Sequence, residues 1–250
     1  MKIFVINLKS ESERRLVMQQ QADRLNLNIE FIDAVYGAGL SDTYLSEIVY
    51  DYPECKLTKG EIGCSLSHLL IYKKIVDENI PHALILEDDA ILSQDLINVL
   101  NEIKLIDSVR KPNVFLLSPP ESYIKNIKLK SRKYDIYSIY EASGAYGYII
   151  NNKSAKQLIR RMSPLKWECD MWGVFRMQRI VNVYCLLPSV VLNGDSNSVS
   201  STLHEERIKQ KKLRENYRHL LKKTEPNYQI NRLRDLLLST QEKLIANWSP

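Results

Sequence analysis

Three consecutive carboxylates, Glu87-Asp88-Asp89, close the apolar run Ala83-Leu84-Ile85-Leu86, and no other residues here are better placed to do chemistry. An unalternated apolar run suits a strand covered on both faces in a mostly parallel sheet. Open α/β sheets bind ligands beyond the carboxyl ends of such strands. Adjacent carboxylates repel one another unless a cation offsets them. Mg2+ or Mn2+ takes one or two carboxylates together with phosphate oxygens of a substrate, and Glu87 and Asp89 have the i, i+2 relation that puts two side chains on one side of an extended chain. A helix N-terminus accounts for the triplet as well, since Asp88 and Asp89 precede a helical stretch over 93–109 and acids favour that place. On the residues alone both accounts stand.

Two other segments carry chemistry. Gly60-Glu61-Ile62-Gly63-Cys64-Ser65-Leu66-Ser67-His68 puts two glycines at a helix start, where backbone N–H groups and the helix dipole can receive an anion such as a diphosphate. His68, one turn beyond Cys64, could touch a phosphate or a sugar, although a helical histidine is more often structural. Farther on, Glu168 and Asp170 lie among Trp167, Met171 and Trp172. Aromatic rings beside carboxylates suit a sugar, which offers C–H groups to a ring and hydroxyls to an acid. The plainer account has the two tryptophans anchoring a helix while both acids face water, and the residues alone favour it.

The elements that must position these groups alternate between strand and helix. Lys2–Asn7 reads as a strand, Glu11–Leu25 as a helix and Asn28–Val35 as a second strand ended by Gly37 and Gly39. The chain to Cys55 reads as loop with room for a short helix. Thr58-Lys-Gly-Glu61 has capping-box form and opens a helix that stops near Pro81. After the triplet come the helical stretch to Val109, a buried strand at Asn113–Ser118, a basic loop or edge at 124–133, one or two strands within 136–151, a short helix at 154–162 and a strand pair at 181–192 broken by Pro188. Residues 205–223 and 228–246 read as two helices. The whole predicts a layered α/β domain over 1–203 and a helical C-terminal extension over 204–250.

Composition sets the outer limits. At 44% apolar and 26% charged the chain is ordinary globular material. The net charge of +5 is unevenly placed: residues 1–203 hold 24 basic and 24 acidic side chains, residues 204–250 hold 11 and 6. A neutral body is not built to grip nucleic acid, whereas a basic extension suits an anionic surface. No apolar run is long enough to span a membrane, and the opening MKIFVINLKS lacks the form of a secretory signal. Cys55, Cys64, Cys169 and Cys185 show neither CxxC spacing nor zinc-finger histidines, which predicts scattered reduced thiols in a cytoplasmic protein.

Together these segments resemble the family 25 glycosyltransferases, the group that includes bacterial lipooligosaccharide glycosyltransferases. The matching pieces are Val5-Ile6-Asn7-Leu8 with Arg15, Phe31-Ile32-Asp33-Ala34-Val35, Gly60–Cys64 with Ser67-His68, Ala83–Asp89, Gly144-Ala145-Tyr146-Gly147-Tyr148, Asp170, and Pro188 with Asp195-Ser196. The resemblance implies a GT-A-like nucleotide-sugar fold, a UDP-hexose donor carrying galactose or glucose, and inverting transfer to a glycan acceptor of lipopolysaccharide type. It also implies that the triplet is the counterpart of the metal-binding DxD element. On that reading Glu87, Asp89 and Asp195 hold Mn2+ or Mg2+. Asn7, Leu8, Arg15, Gly60, Glu61, Gly63, Ser67, His68 and Asp88 surround the donor, and Asp170, or secondly Glu168, is the general base. The C-terminal helices then attach to anionic lipid at the cytoplasmic face of the inner membrane, or else form a hairpin packed on the domain or on another subunit. A Mg-dependent phosphoryl-transfer enzyme and a non-catalytic carbohydrate-binding protein are the competing readings. The first usually places its acids after the first strand, and the second leaves the acidic cluster unexplained.

Overall fold

The computed structural model describes residues 1–131, 133–194, 204–239 and 245–247. Its first unit is β1 (Lys2–Asn7), α1 (Ser12–Arg24) and β2 (Glu30–Asp33), followed by α2 (Asp42–Ile48), for which Ser41 accepts the N-capping bond from the Tyr44 N–H. α3 (Lys59–Asp77) begins with the expected capping box: Thr58 Oγ1 accepts from the Glu61 N–H at 3.2 Å, and Glu61 accepts from the Thr58 N–H at 2.9 Å. β3 (His82–Glu87), β4 (Ala90–Leu92), α4 (Leu96–Ile106) and β5 (Asn113–Leu116) follow. The second half holds β6 (Ser122–Leu129), β7 (Asp135–Glu141), β8 (Gly147–Asn151), α5 (Asn152–Arg161), α6 (Trp172–Met177), β9 (Asn182–Leu187) and β10 (Val191–Asn193). α7 (His204–Lys223), α8 (Tyr228–Ser239) and β11 (Ile245–Asn247) complete it.

Nine strands form one central sheet in the order β11-β6-β7-β9-β5-β8-β3-β1-β2, and β10 pairs with β4 in a small separate one. Through their pairings β1, β2, β3, β5, β6 and β9 run one way, while β7, β8 and β11 run the other. The insertion of β8 between β3 and β5 is invisible in hydrophobicity, because burial on both faces gives the same unalternated run whichever way a strand points. β1 illustrates that burial: Phe4 and Ile6 join the core under α3 and α5, whereas Ile3 and Val5 join the one under α1 and α4.

The C-terminal extension departs from its expected form. The second helix ends at Ser239, and Ile245–Asn247 instead pairs antiparallel with β6, which supplies partners to an otherwise open sheet edge. α7 lies against the body: Leu221 is buried, and the Tyr217 hydroxyl donates to Asp51 at 2.8 Å. Asp235 of α8 takes a two-pronged bond from Arg176 at 3.0 and 2.9 Å. Glu225, between the helices, receives the Trp167 indole N–H at 3.1 Å and pairs with Arg161.

Candidate active site

Parallel pairing of β1 with β3 builds the centre of the site. Ile6 stands opposite Glu87, so Asn7 and Asp88 leave the same carboxyl edge side by side. Asn7 Nδ2 donates to Asp88 Oδ2 at 2.7 Å and to the Glu11 carbonyl at 3.0 Å, while Arg14, in the first turn of α1, reaches Asp88 Oδ1 at 3.4 Å. Burial raises the Asp88 carboxyl, and the Asn7 and Arg14 contacts oppose that rise. Asn7 is 1% exposed, yet its Oδ1 has no hydrogen-bond partner among the described residues. A buried acceptor without a donor costs about 1–3 kcal/mol, so this atom suits a bound hydroxyl or cation.

Glu87 is held from two sides. Its N–H donates to the Tyr146 carbonyl at 3.2 Å, and Oε1 lies 3.3 Å from His68 Nε2. His68 is fully buried; its Nδ1 is 2.8 Å from the Tyr148 hydroxyl, which is 2.7 Å from that of Tyr72. Burial disfavours charge on this imidazole, but contacts with Cys64 and Glu87 outweigh it and raise the group to about 9. Cys64 Sγ in turn sits 3.8 Å from Cys169 Sγ. Neither Tyr148 nor Cys169 was marked by any sequence pattern as a neighbour of the triplet.

The helix-terminus account of the triplet fails on the structure. β4 intervenes between Asp89 and α4, whose N-cap is Asp95, not Asp88 or Asp89. β4 pairs with β10, and the Asp89 carbonyl accepts from the Gly194 N–H at 2.8 Å. Asp195, the third expected metal ligand, and Ser196 lie outside the described residues. Among those described, the triplet does not converge into a preformed cluster of three ligands. That fits Mg2+ or Mn2+, which use one or two carboxylates and complete their shell with substrate oxygens and water. Asp88 is engaged through both oxygens, and Glu87 and Asp89 flank it as hard oxygen donors.

Asp170 and Glu168 have separate fates. The Asp170 side chain is half-buried and accepts from the Gly144 N–H at 3.2 Å, with Gly144 in the left-handed region at φ +79. The Trp172 indole donates to the Gly144 carbonyl at 2.9 Å, fixing that turn against the buried start of α6. Glu168 neither faces water nor stands free to take a proton. Arg214 bridges both its oxygens at 2.9 Å, and Arg218 joins them. Burial opposes the Glu168 charge, but the guanidinium of Arg214, then that of Arg218, holds the carboxyl at about 2. The expectation that Glu168 could serve as base is therefore corrected: it anchors α7.

The glycine-rich helix start also needs correction. A side chain on Gly63 would meet the Val35 carbonyl at 2.6 Å and the Gly37 nitrogen at 2.7 Å, so this glycine lets residues 35–37 lie directly on α3. Ser67 completes that junction, donating to the Gly63 carbonyl at 2.7 Å and accepting from the Val35 N–H at 2.8 Å. The Glu61 carboxylate is spent on the capping box. Gly60 sits in the same capped first turn, so Gly60, Glu61, Gly63 and Ser67 build the helix start and form no open diphosphate cradle; of that segment, His68 reaches the triplet. Leu8 forms the turn into α1 through its carbonyl, which accepts from the Glu11 N–H. Arg15 stacks over the Phe31 ring with its guanidinium carbon 4.0 Å from the centroid, so Arg14, unmarked in the sequence, is the arginine at the triplet.

Comparison with known proteins decides the lineage. The profile of glycosyltransferase family 25 (LPS biosynthesis protein) matches residues 1–172. The chain belongs to glycosyltransferase family 25. It is 28% identical to the lipooligosaccharide biosynthesis protein lic2B of Haemophilus influenzae over 169 residues, 65% of this chain and 64% of that one. Another similar protein is lex-1 of the same species, a lipooligosaccharide biosynthesis protein, at 25% identity over 84% of each chain. The procollagen galactosyltransferase 1-A of Xenopus laevis is 38% identical over 95 residues, 35% of this chain and 16% of the relative. This family 25 chain thus spans under two thirds of the length of lic2B and a small part of the animal protein. The matched region takes in Asn7, Arg14, His68, Glu87–Asp89, Glu168 and Asp170, and β10, α7 and α8 fall beyond it.

Proposed function

We propose that the protein transfers a hexose, galactose or glucose, from a UDP-sugar to a lipooligosaccharide- or lipopolysaccharide-type glycan, with inversion at the anomeric carbon, on a GT-A-like domain. The observation that carries this reading is the pinning of Asp88 by Asn7 and Arg14 at the shared end of β1 and β3. It sets Asp88 between Glu87 and Asp89, hard oxygen donors at the strand end where an α/β sheet binds its ligand. Family membership and the names of the relatives support glycosyl transfer, and the galactosyltransferase among them favours galactose.

Each residue has a task in that reaction. Glu87 and Asp89 would hold Mn2+ or Mg2+, which when bound neutralises the leaving diphosphate as a Lewis acid. Asn7 offers its unpartnered Oδ1 to a donor hydroxyl, and Leu8 shapes the turn beside it. His68, steadied by Tyr148, orients Glu87. Asp170 accepts the proton of the attacking acceptor hydroxyl, a role its half-buried carboxylate permits and the ion-paired Glu168 does not. A turnover screen with Mn2+ and UDP-galactose, UDP-glucose or the N-acetyl sugars tests the proposal: hexose release or transfer from one UDP-hexose supports it, and inertness toward all of them with acceptor glycan present refutes it.

The extension has a second task in this proposal. Arg214 and Arg218 are committed to Glu168, but Leu213, Leu220, Ile230 and Leu233 remain exposed beside the exposed Lys212 and Lys223. Apolar and basic side chains on one surface suit an anionic bilayer, and no helix of the described residues is long and apolar enough to cross one. The enzyme would then meet a lipid-linked acceptor at the cytoplasmic face of the inner membrane. Pairing of two chains through this surface is the other outcome, read by oligomeric state.

A further inference from the structure

The proposed reaction gives no task to Cys64 and Cys169, the two cysteines beside His68. Cys64 Sγ, Cys169 Sγ and a ring nitrogen of His68 all lie within 4.8 Å of one another, and among the described residues no other group of three ligands is so assembled. Cys169 is 3% exposed and His68 0%. We propose that Cys64, His68 and Cys169 bind a zinc ion, in a site distinct from the carboxylate site at Glu87 and Asp89.

Three observations carry this. Two thiolates on one tetrahedral zinc, each bonded at about 2.3 Å, stand about 3.8 Å apart, and the Cys64 and Cys169 sulfurs are 3.8 Å apart. A disulfide would need about 2.05 Å. Cys64 and His68 are one turn apart on α3, so a single helix face presents both. Finally, metal-bound histidine normally gives its other ring N–H to a fixed acceptor. Tyr148 fills that role at Nδ1, backed by Tyr72, and Nε2 becomes the ligand. Three protein ligands leave a fourth position for a further donor.

Ligand chemistry separates the two sites. Thiolate and imidazole select zinc, whereas carboxylates and phosphate oxygens select Mg2+ or Mn2+. Binding releases to solvent the protons that the two sulfurs and His68 Nε2 carry, and changes no oxidation state. Its consequence is mechanical: the ion ties α3 to the residue before Asp170 and takes the His68 nitrogen that otherwise faces Glu87 Oε1. This inference does not depend on the sugar or on transfer at all, since it is read from metal content.

The test uses the full chain purified in reducing, chelator-free buffer. Elemental analysis is expected to find one equivalent of zinc that excess Mn2+ does not displace. Zinc-edge X-ray absorption of the wild type is expected to give two sulfurs at about 2.3 Å and nitrogen or oxygen near 2.0–2.1 Å. Cys169→Ser should lose the ion, and Tyr148→Phe should weaken affinity about 10- to 100-fold. Cys185→Ala, remote from the cluster, should keep it. An ion shell without sulfur, equal zinc in wild type and Cys169→Ser, or a metal-free wild type with two free thiols or a Cys64–Cys169 disulfide would overturn the proposal. The wild-type absorption measurement stands even if Cys169→Ser fails to fold.

Discussion

The end of β3 and the segment before α6 each present carboxylates two residues apart, and they treat the charge differently. Before α6, Glu168 receives two guanidinium groups from α7 and is buried among them, while Asp170 is half-buried and accepts from the Gly144 N–H. At β3, Asp88 takes the amide of Asn7 and the guanidinium of Arg14, with Glu87 and Asp89 on either side of it in the chain. In both places one acid is neutralised for architecture, and the proposed reaction gives its neighbour the chemistry. Removing the first kind should cost stability, and removing the second kind should cost turnover.

Three variants can break the contrast. The largest effect is expected for Asp89→Ala: a folded protein whose turnover with Mn2+ falls on the order of 10⁴-fold, since a bound cation contributes several kcal/mol to the transition state. Wild-type turnover in that variant would remove Asp89 from the metal site. Asp170→Asn is expected to lower kcat about a thousandfold, within the usual range of general acid–base catalysis, with UDP affinity kept; an unchanged kcat would exclude it as base. Glu168→Ala should act on the other side of the divide. Losing one partner of a buried ion pair destabilises by about 3–5 kcal/mol, seen as a lower denaturation midpoint, and a variant as stable as wild type would contradict the anchoring role.

The same pair predicts an acid limit. Burial opposes the Glu168 charge, but Arg214 and Arg218 hold the carboxyl at about 2 in the fold, below its ordinary value of 4.5. Its contribution is therefore complete above the unfolded value and is lost as pH falls from about 4.5 toward 2. Hydrogen exchange of α7 should accelerate across that window in the wild type and show no such step in Glu168→Gln. The smallest effect concerns the surface: binding to anionic vesicles at low salt should weaken as salt rises and weaken further in Leu213→Ser/Leu220→Ser, whereas salt-independent binding would exclude the electrostatic part.

How much of this was legible in the sequence follows the range of the interactions. The capping box of α3, the strand ending at Glu87 and the helical C-terminal pattern rest on neighbours within a turn, and their periodicity shows them. The i, i+2 spacing of Glu87 and Asp89 was legible for the same reason. What failed was long-range. Glu168 meets Arg214 across 46 residues and Cys64 meets Cys169 across 105, distances at which residue type carries no partner information. Gly63 looked like a phosphate cradle because a close backbone approach demands glycine whichever backbone or ligand approaches. Asp88 and Asp89 looked like a helix start because three strand residues, Ala90–Leu92, are too few to show a period.

Metal-dependent recognition of the donor is the central claim, and calorimetry measures it most directly. Titrated with UDP, the wild type is expected to bind in the presence of Mn2+ and to lose most of that affinity with chelator, while Asp89→Ala binds poorly under both conditions and Glu168→Gln binds as wild type. UDP binding of equal strength with and without Mn2+, or full Mn2+-dependent binding by Asp89→Ala, would contradict the account.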